Sequence, residues 1–286
     1  MIRSFCIKTN NNYILNYLLD YFNDNPPENM YFSLNSFKIY DNAIFHYKGE
    51  NYELFYNYVA KAFLDLIIEF YEDKLISNLL EYNYFYFSDK EKKHILTICK
   101  NFSSDIENLE FLKRKSIIFD ICKEYIEENK FVILDGFIRF RLQEYMCILD
   151  DLVDSAVNSF IIEKEYVEFI NLLKFYINSQ IPSNKIIHLI YFKNESVLLD
   201  EEKNIIKIDT NITNAKYMSD ITFSSNDYCL NTLLNILPKQ IFIHLIDSNE
   251  DEFINTLKNI FGKKVTICFE CELCKKYKIN PFIYKK

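Results

Sequence analysis

The stretch NYELFYNYVAKAFLDLIIEFY, residues 51–71, carries its apolar side chains in two adjacent rows. Leu54, Tyr58, Ala62, Leu66 and Phe70 recur every fourth residue, and Phe55, Val59, Phe63, Ile67 and Tyr71 form the row beside them. That period predicts a long α-helix with a wide buried stripe. Lys61, Asp65 and Glu69 interrupt the run, which stays short of the roughly 18–20 apolar residues a membrane span requires. The segment is therefore expected to be a core helix, and no membrane span is expected anywhere in the chain.

The helical period continues outward from this stretch. Ser88 with Glu91, and Ser104 with Glu107, have the spacing of capping boxes, in which side chains satisfy the unpaired amides at a helix start. Ile117, Ile118, Ile121, Cys122, Tyr125 and Ile126 extend the pattern. A short apolar run, 131–134, follows, and Asp135 is placed to cap a helix striped by Leu142, Tyr145, Leu149, Leu152, Ala156 and Phe160. A last helix is expected over 165–179, closed by Pro182.

Both flanks read differently. Residues 4–8 predict a strand, 13–22 a helix ended by Pro26 and Pro27, and 32–47 a pair of strands. Past Pro182, strands are expected over 185–192, 197–199 and 205–208, then a helix (227–237), a strand (240–246), a helix (250–261) and a strand (264–269). The expected fold class is α+β and predominantly helical. An N-terminal β/α segment (1–50) and a C-terminal α/β unit (183–286), packed together, flank a helical domain (51–182).

Composition narrows the function. With 286 residues and 49% hydrophobic content the chain can bury a large core without disulfides. No signal-peptide pattern opens it, so its eight cysteines point to a reducing, cytoplasmic setting where thiols are buried, bind metal or react. Only three glycines are present, where average usage of about 7% gives roughly 20, so Gly-rich phosphate loops are excluded. The net charge of −8 concentrates in residues 51–180, with 15 Lys/Arg against 23 Asp/Glu. No basic stripe able to displace counterions from nucleic acid is evident, and Lys113, Arg114 and Lys115 read as a solvated helix face.

The segment LDGFIRFRLQEY (134–145), with VDSAV (153–157) and EKEYVEFINLL (163–173) at their spacing, resembles the YtxC-like family. The likeness is strongest over residues 110–180. It implies a sporulation protein of endospore-forming bacteria and carries over no catalytic residue; contacts with a protein partner are expected from the acidic helical face.

Three residue groups remain as candidate chemistry. Arg139 and Arg141, beside the expected helix start at Asp135, read either as an anion site or as ion pairs with Glu144, Glu163 or Glu165; an arginine inside an apolar pattern is expected buried and paired. Cys268, Cys271 and Cys274, each three residues apart, have a spacing that gathers thiolates on one metal. Lys278 occupies the position where a ferredoxin-like run has its fourth cysteine, which argues against an iron–sulfur cluster. Zinc is the metal that fits, with Cys6 or another residue as fourth ligand, and packed or redox-responsive thiols are the alternative reading. His188 and His244, in matching IHLI segments, read as satisfied sheet residues. Asp150, Asp151 and Asp154, or Glu163 and Glu165, provide carboxylate spacings that acidic helix surfaces produce routinely. No nucleophile–base constellation is present, so a non-catalytic interaction protein is expected, with a zinc protein or an unfamiliar enzyme as the alternatives.

Overall fold

The computed structural model describes residues 2–24, 26–104, 109–192, 195–206, 224–246 and 249–279. They form a predominantly helical α+β protein with two mixed four-stranded sheets. Two compact units divide the chain, residues 1–162 and 163–286.

The first unit opens with β1 (Arg3–Thr9), α1 (Asn12–Asp24), β2 (Met30–Ser36) and β3 (Asp41–Tyr47). Helix α2 (Tyr52–Phe70) follows, its start capped by the Asn51 side chain, which accepts from the Leu54 amide. Phe55, Val59, Phe63 and Ile67 are fully buried, as the second of the two rows predicts, whereas Leu54 in the first row is 39% exposed. The helix breaks at Tyr71 and restarts as α3 (Glu72–Asn83), followed by α4 (Asp89–Ser104) and α5 (Leu109–Glu128). The capping box at α4 forms: Glu91 accepts from the Ser88 amide and hydroxyl, and Ser88 accepts from the Glu91 amide. The second expected box, at Ser104 and Glu107, lies outside the described residues.

Strand β4 (Phe131–Ile133) comes from the apolar run before Asp135 and pairs in parallel with β1, giving the sheet order β2-β3-β1-β4. Asp135 is not the helix cap. Helix α6 (Leu134–Arg141) starts a residue before it, and its carboxylate accepts instead from the Tyr71 hydroxyl, 3.2 Å away. Helix α7 (Gln143–Ser179) then runs unbroken for 37 residues, where two helices were expected. Its residues Tyr145, Leu149, Val153 and Ala156 complete the first core. Asp150 and Asp154 accept from Asn83 and Tyr84 at the end of α3, so their carboxylates hold a helix end in place.

Within the basic run 113–115, Lys113 is exposed as a solvated face requires, but Arg114 departs from that reading. Arg114 lies in one row with Ile118, Cys122 and Ile126, four residues apart and all buried. Its guanidinium stands 3.6 Å from Glu72, with side chains 6% and 13% exposed respectively, and the Tyr145 hydroxyl donates to the other carboxylate oxygen. The buried, carboxylate-paired arginine expected at 139 or 141 is therefore Arg114.

The second unit contains the end of α7, β5 (Ile186–Phe192), β6 (Glu195–Leu199), α8 (Ser225–Ile236), β7 (Gln240–Leu245), α9 (Glu252–Phe261), β8 (Val265–Cys268) and α10 (Glu272–Ile279). Its sheet has the order β6-β5-β7-β8, with β5, β7 and β8 parallel and β6 antiparallel to β5. The strands of the two chain ends thus lie in separate sheets. Of the strand expected over 205–208, Ile205 forms an isolated bridge to Leu199, and residues from 207 lie outside the described set. Capping residues start both helices that precede the parallel strands: Ser224 with Asp227 at α8, and Asp251 at α9.

Strand alternation divides this sheet into two faces. Ile187, Leu189, Tyr191, Ile241, Ile243 and Leu245 point into a core with α8, α9 and Ile170 and Ile177 of α7. Ile190, Leu199 and Ile246 point the other way, onto Leu273, Cys274 and Tyr277 of α10. Among the described residues α10 is the helix packed on that second face, and at eight residues it is too short to be stable on its own.

Candidate metal centre

The second face also carries His188, His244 and Cys268. His244 and Cys268 are registered partners on the adjacent parallel strands β7 and β8, so their side chains leave the sheet side by side. The chain then turns, Cys271 lies immediately before α10, and Cys274 lies one turn into it. His244, Cys268, Cys271 and Cys274 meet with all four ligand atoms within 4.8 Å of one another.

The distances fit one tetrahedral zinc. Sulfurs each about 2.3 Å from a zinc lie about 3.8 Å apart. Cys271 and Cys274 are 3.7 Å apart, and Cys274 and Cys268 are 3.9 Å apart. His244 Nδ1 lies 3.3 Å from the Cys271 sulfur and 3.4 Å from that of Cys274, near the roughly 3.5 Å a shared zinc sets. His244 and Cys274 are buried, Cys268 and Cys271 half-buried.

Electrostatics favour the ligand forms of His244 and Cys271. Burial, then the neighbouring His188 and Lys203, bring the His244 pKa down to about 4, so the ring is neutral at pH 7 with a lone pair to give. Its Nε2 lies 3.0 Å from His188 Nδ1. With Nδ1 turned to the thiols, Nε2 carries the proton and donates it to His188, which fixes the tautomer and ring angle as outer partners of metal-bound histidines do. Burial opposes the Cys271 thiolate, but the Cys274 amide, the two neighbouring thiols and the Leu273 amide outweigh it and lower its pKa. By contrast, burial and then the adjacent sulfurs raise Cys274 to about 12, so this thiol holds its proton at pH 7 and a metal ion binding there displaces it.

The three candidate cysteines are brought together, and the fourth group beside them is His244 of β7, a residue other than Cys6, which lies on β1 in the first unit. The period-2 pattern held the signal: within 243–246 the histidine faces away from Ile243 and Leu245, which enter the core shared with α8 and α9. Arg139 and Arg141 are exposed and lie over the rings of Phe140 and Tyr125 at 5.7 and 5.8 Å, neither paired with a carboxylate among the described residues. Glu144 and Glu165 are exposed as well. Eight residues of α6 place both arginines at its solvent end, past the buried Phe137 and Ile138.

The sequence profile of the YtxC-like family matches residues 57–266, about three quarters of the chain. The chain belongs to the YtxC-like family. The Uncharacterized protein YtxC of Bacillus subtilis (strain 168) is 24% identical to it over 197 residues, 65% of this chain and 68% of that protein. No solved structure matches it. The YtxC-like match covers His188 and His244 and ends two residues before Cys268, so the metal assignment rests on the geometry of this chain. No described helix is long and apolar enough to cross a membrane.

His188→Ala is expected to lower zinc affinity 10–100-fold, because the His244 ring loses the acceptor that orients it. Chelator competition measures this; unchanged affinity in a folded variant would remove His188 from the site.

Proposed function

We propose that this chain is a zinc protein in which His244, Cys268, Cys271 and Cys274 hold one structural ion that fastens α10 to its sheet. The observation that carries the reading is the convergence of four ligand atoms within 4.8 Å at zinc-like spacings. A sphere filled by four protein ligands leaves no open position for substrate, which supports a non-catalytic role. The described cysteines are free thiols, in keeping with a reducing cytoplasmic setting.

We further infer a sporulation role exercised through a protein partner. Family membership supports the first part. Phe169, Leu172 and Phe175, exposed by 52%, 67% and 74% on α7, support the second, since exposed apolar clusters mark contact surfaces. Metal analysis of protein purified anaerobically tests the zinc reading: about one zinc per chain is expected, and metal-free, equally stable protein refutes it. In a sporulating host, a Cys274→Ser allele should depress spore yield as deletion does.

A further inference from the structure

Cys271 and Cys274 form a Cys-x-x-Cys pair across the first turn of α10. The Cys274 amide points at the Cys271 sulfur from 3.5 Å, an arrangement that stabilises thiolate at a helix start. The two sulfurs are 3.7 Å apart, so closing a bond of about 2.05 Å needs only side-chain rotation within one turn. Cys271 is half-buried and reachable, while Cys274 is sealed behind it. Of the other two thiols of this unit among the described residues, Cys268 is half-buried with its sulfur 3.9 Å from that of Cys274, and Cys229 is buried in the opposite core.

We propose that Cys271 is an oxidation site at which a small peroxide converts Cys271 and Cys274 to a disulfide, expels the metal and frees α10 from the sheet. The proposal rests on the zinc reading above. The Cys271 thiolate attacks hydrogen peroxide; the O–O bond breaks, the sulfur takes one hydroxyl and the other oxygen leaves as hydroxide, protonated to water. The Cys274 thiolate then attacks the Cys271 sulfur, the S–S bond forms, the S–O bond breaks and a second water leaves. Two thiolates lose two electrons, and peroxide gains them together with two protons from solvent. The ion keeps only His244 and Cys268 and dissociates. What remains on the second face is Leu273 and Tyr277 against Ile190, Leu199 and Ile246, without the tether that held the short helix there.

The test uses the zinc-loaded chain carrying Cys147→Ser, which removes an exposed thiol of the first unit that would consume oxidant. One equivalent of hydrogen peroxide is added in the presence of a chromogenic chelator, and the sulfurs are mapped by mass spectrometry after cleavage following Glu270 and Glu272, which separates the three cysteines. Release of nearly all the zinc, a Cys271–Cys274 disulfide, and rebinding after reduction are expected. Zinc retained at tenfold excess, or released with Cys268 in the disulfide, overturns the proposal and leaves the zinc reading standing. Protein that holds no zinc before oxidant is added overturns both.

Discussion

Arg114→Ala is expected to destabilise the first unit by about 3–5 kcal/mol. The change leaves the Glu72 carboxylate, 13% exposed, among apolar helices with the Tyr145 hydroxyl still donating to it. A buried charge without its counter-ion costs far more than a surface pair contributes. For a unit of this size the melting temperature should fall by on the order of 10 °C. Two comparisons isolate the cause. Arg139→Ala and Arg141→Ala, at exposed positions, should stay within about 0.5 kcal/mol of wild type. Arg114→Met combined with Glu72→Leu, which removes both charges and keeps most of the volume, should recover most of the loss. A single Arg114→Ala variant as stable as the parent would show that the pair carries no weight in the core.

Removing the metal, by chelation or by His244→Ala, is expected to detach α10 while leaving the first face of its sheet folded. Structural zinc contributes apparent free energies of roughly 10–16 kcal/mol in small zinc domains, and ligands preorganised by a sheet share in that energy. Isolated helices shorter than about 12–15 residues are marginal in water, and α10 has eight. Hydrogen exchange should accelerate by orders of magnitude across residues 272–279 and rise at Ile190 and Leu199, with Ile187, Leu189 and Ile243 remaining protected by the core they share with α8 and α9. Equal protection with and without metal would mean that apolar contacts alone hold the helix.

Much of this architecture was legible because it depends on local period. The row Phe55, Val59, Phe63 and Ile67 marked α2, the Ser88 box marked the start of α4, and alternating strand and helix segments past Pro182 marked the second unit. What escaped depends on tertiary neighbours. Arg114 stands four residues before Ile118 in a row whose other members are all buried, yet a basic run reads as solvated until a carboxylate, here Glu72 from another helix, is known to meet it. The unbroken course of α7 was missed for the same reason, since packing decides where a periodic run stops. At the candidate site, regular cysteine spacing gave three ligands. The fourth needed the register that sets His244 beside Cys268, which no spacing of residues along one strand contains. Helix α10, at eight residues with a modest apolar stripe, was too short to announce itself.

The second face of the β6-β5-β7-β8 sheet has a history as well as a structure. Its apolar residues Ile190 and Leu199 leave the ribosome roughly 80 residues ahead of Leu273 and Tyr277, and α10 follows every other described element. At translation rates of about 5–20 residues per second, that face stays bare on the nascent chain for several seconds. Helix α10 arrives together with the three cysteines, so on the zinc proposal the length of the vulnerable interval is set by synthesis and then by the supply of the ion. In a cell poor in zinc, chains complete in every covalent respect would accumulate with an uncovered apolar sheet, open to the chaperones and proteases that survey such surfaces.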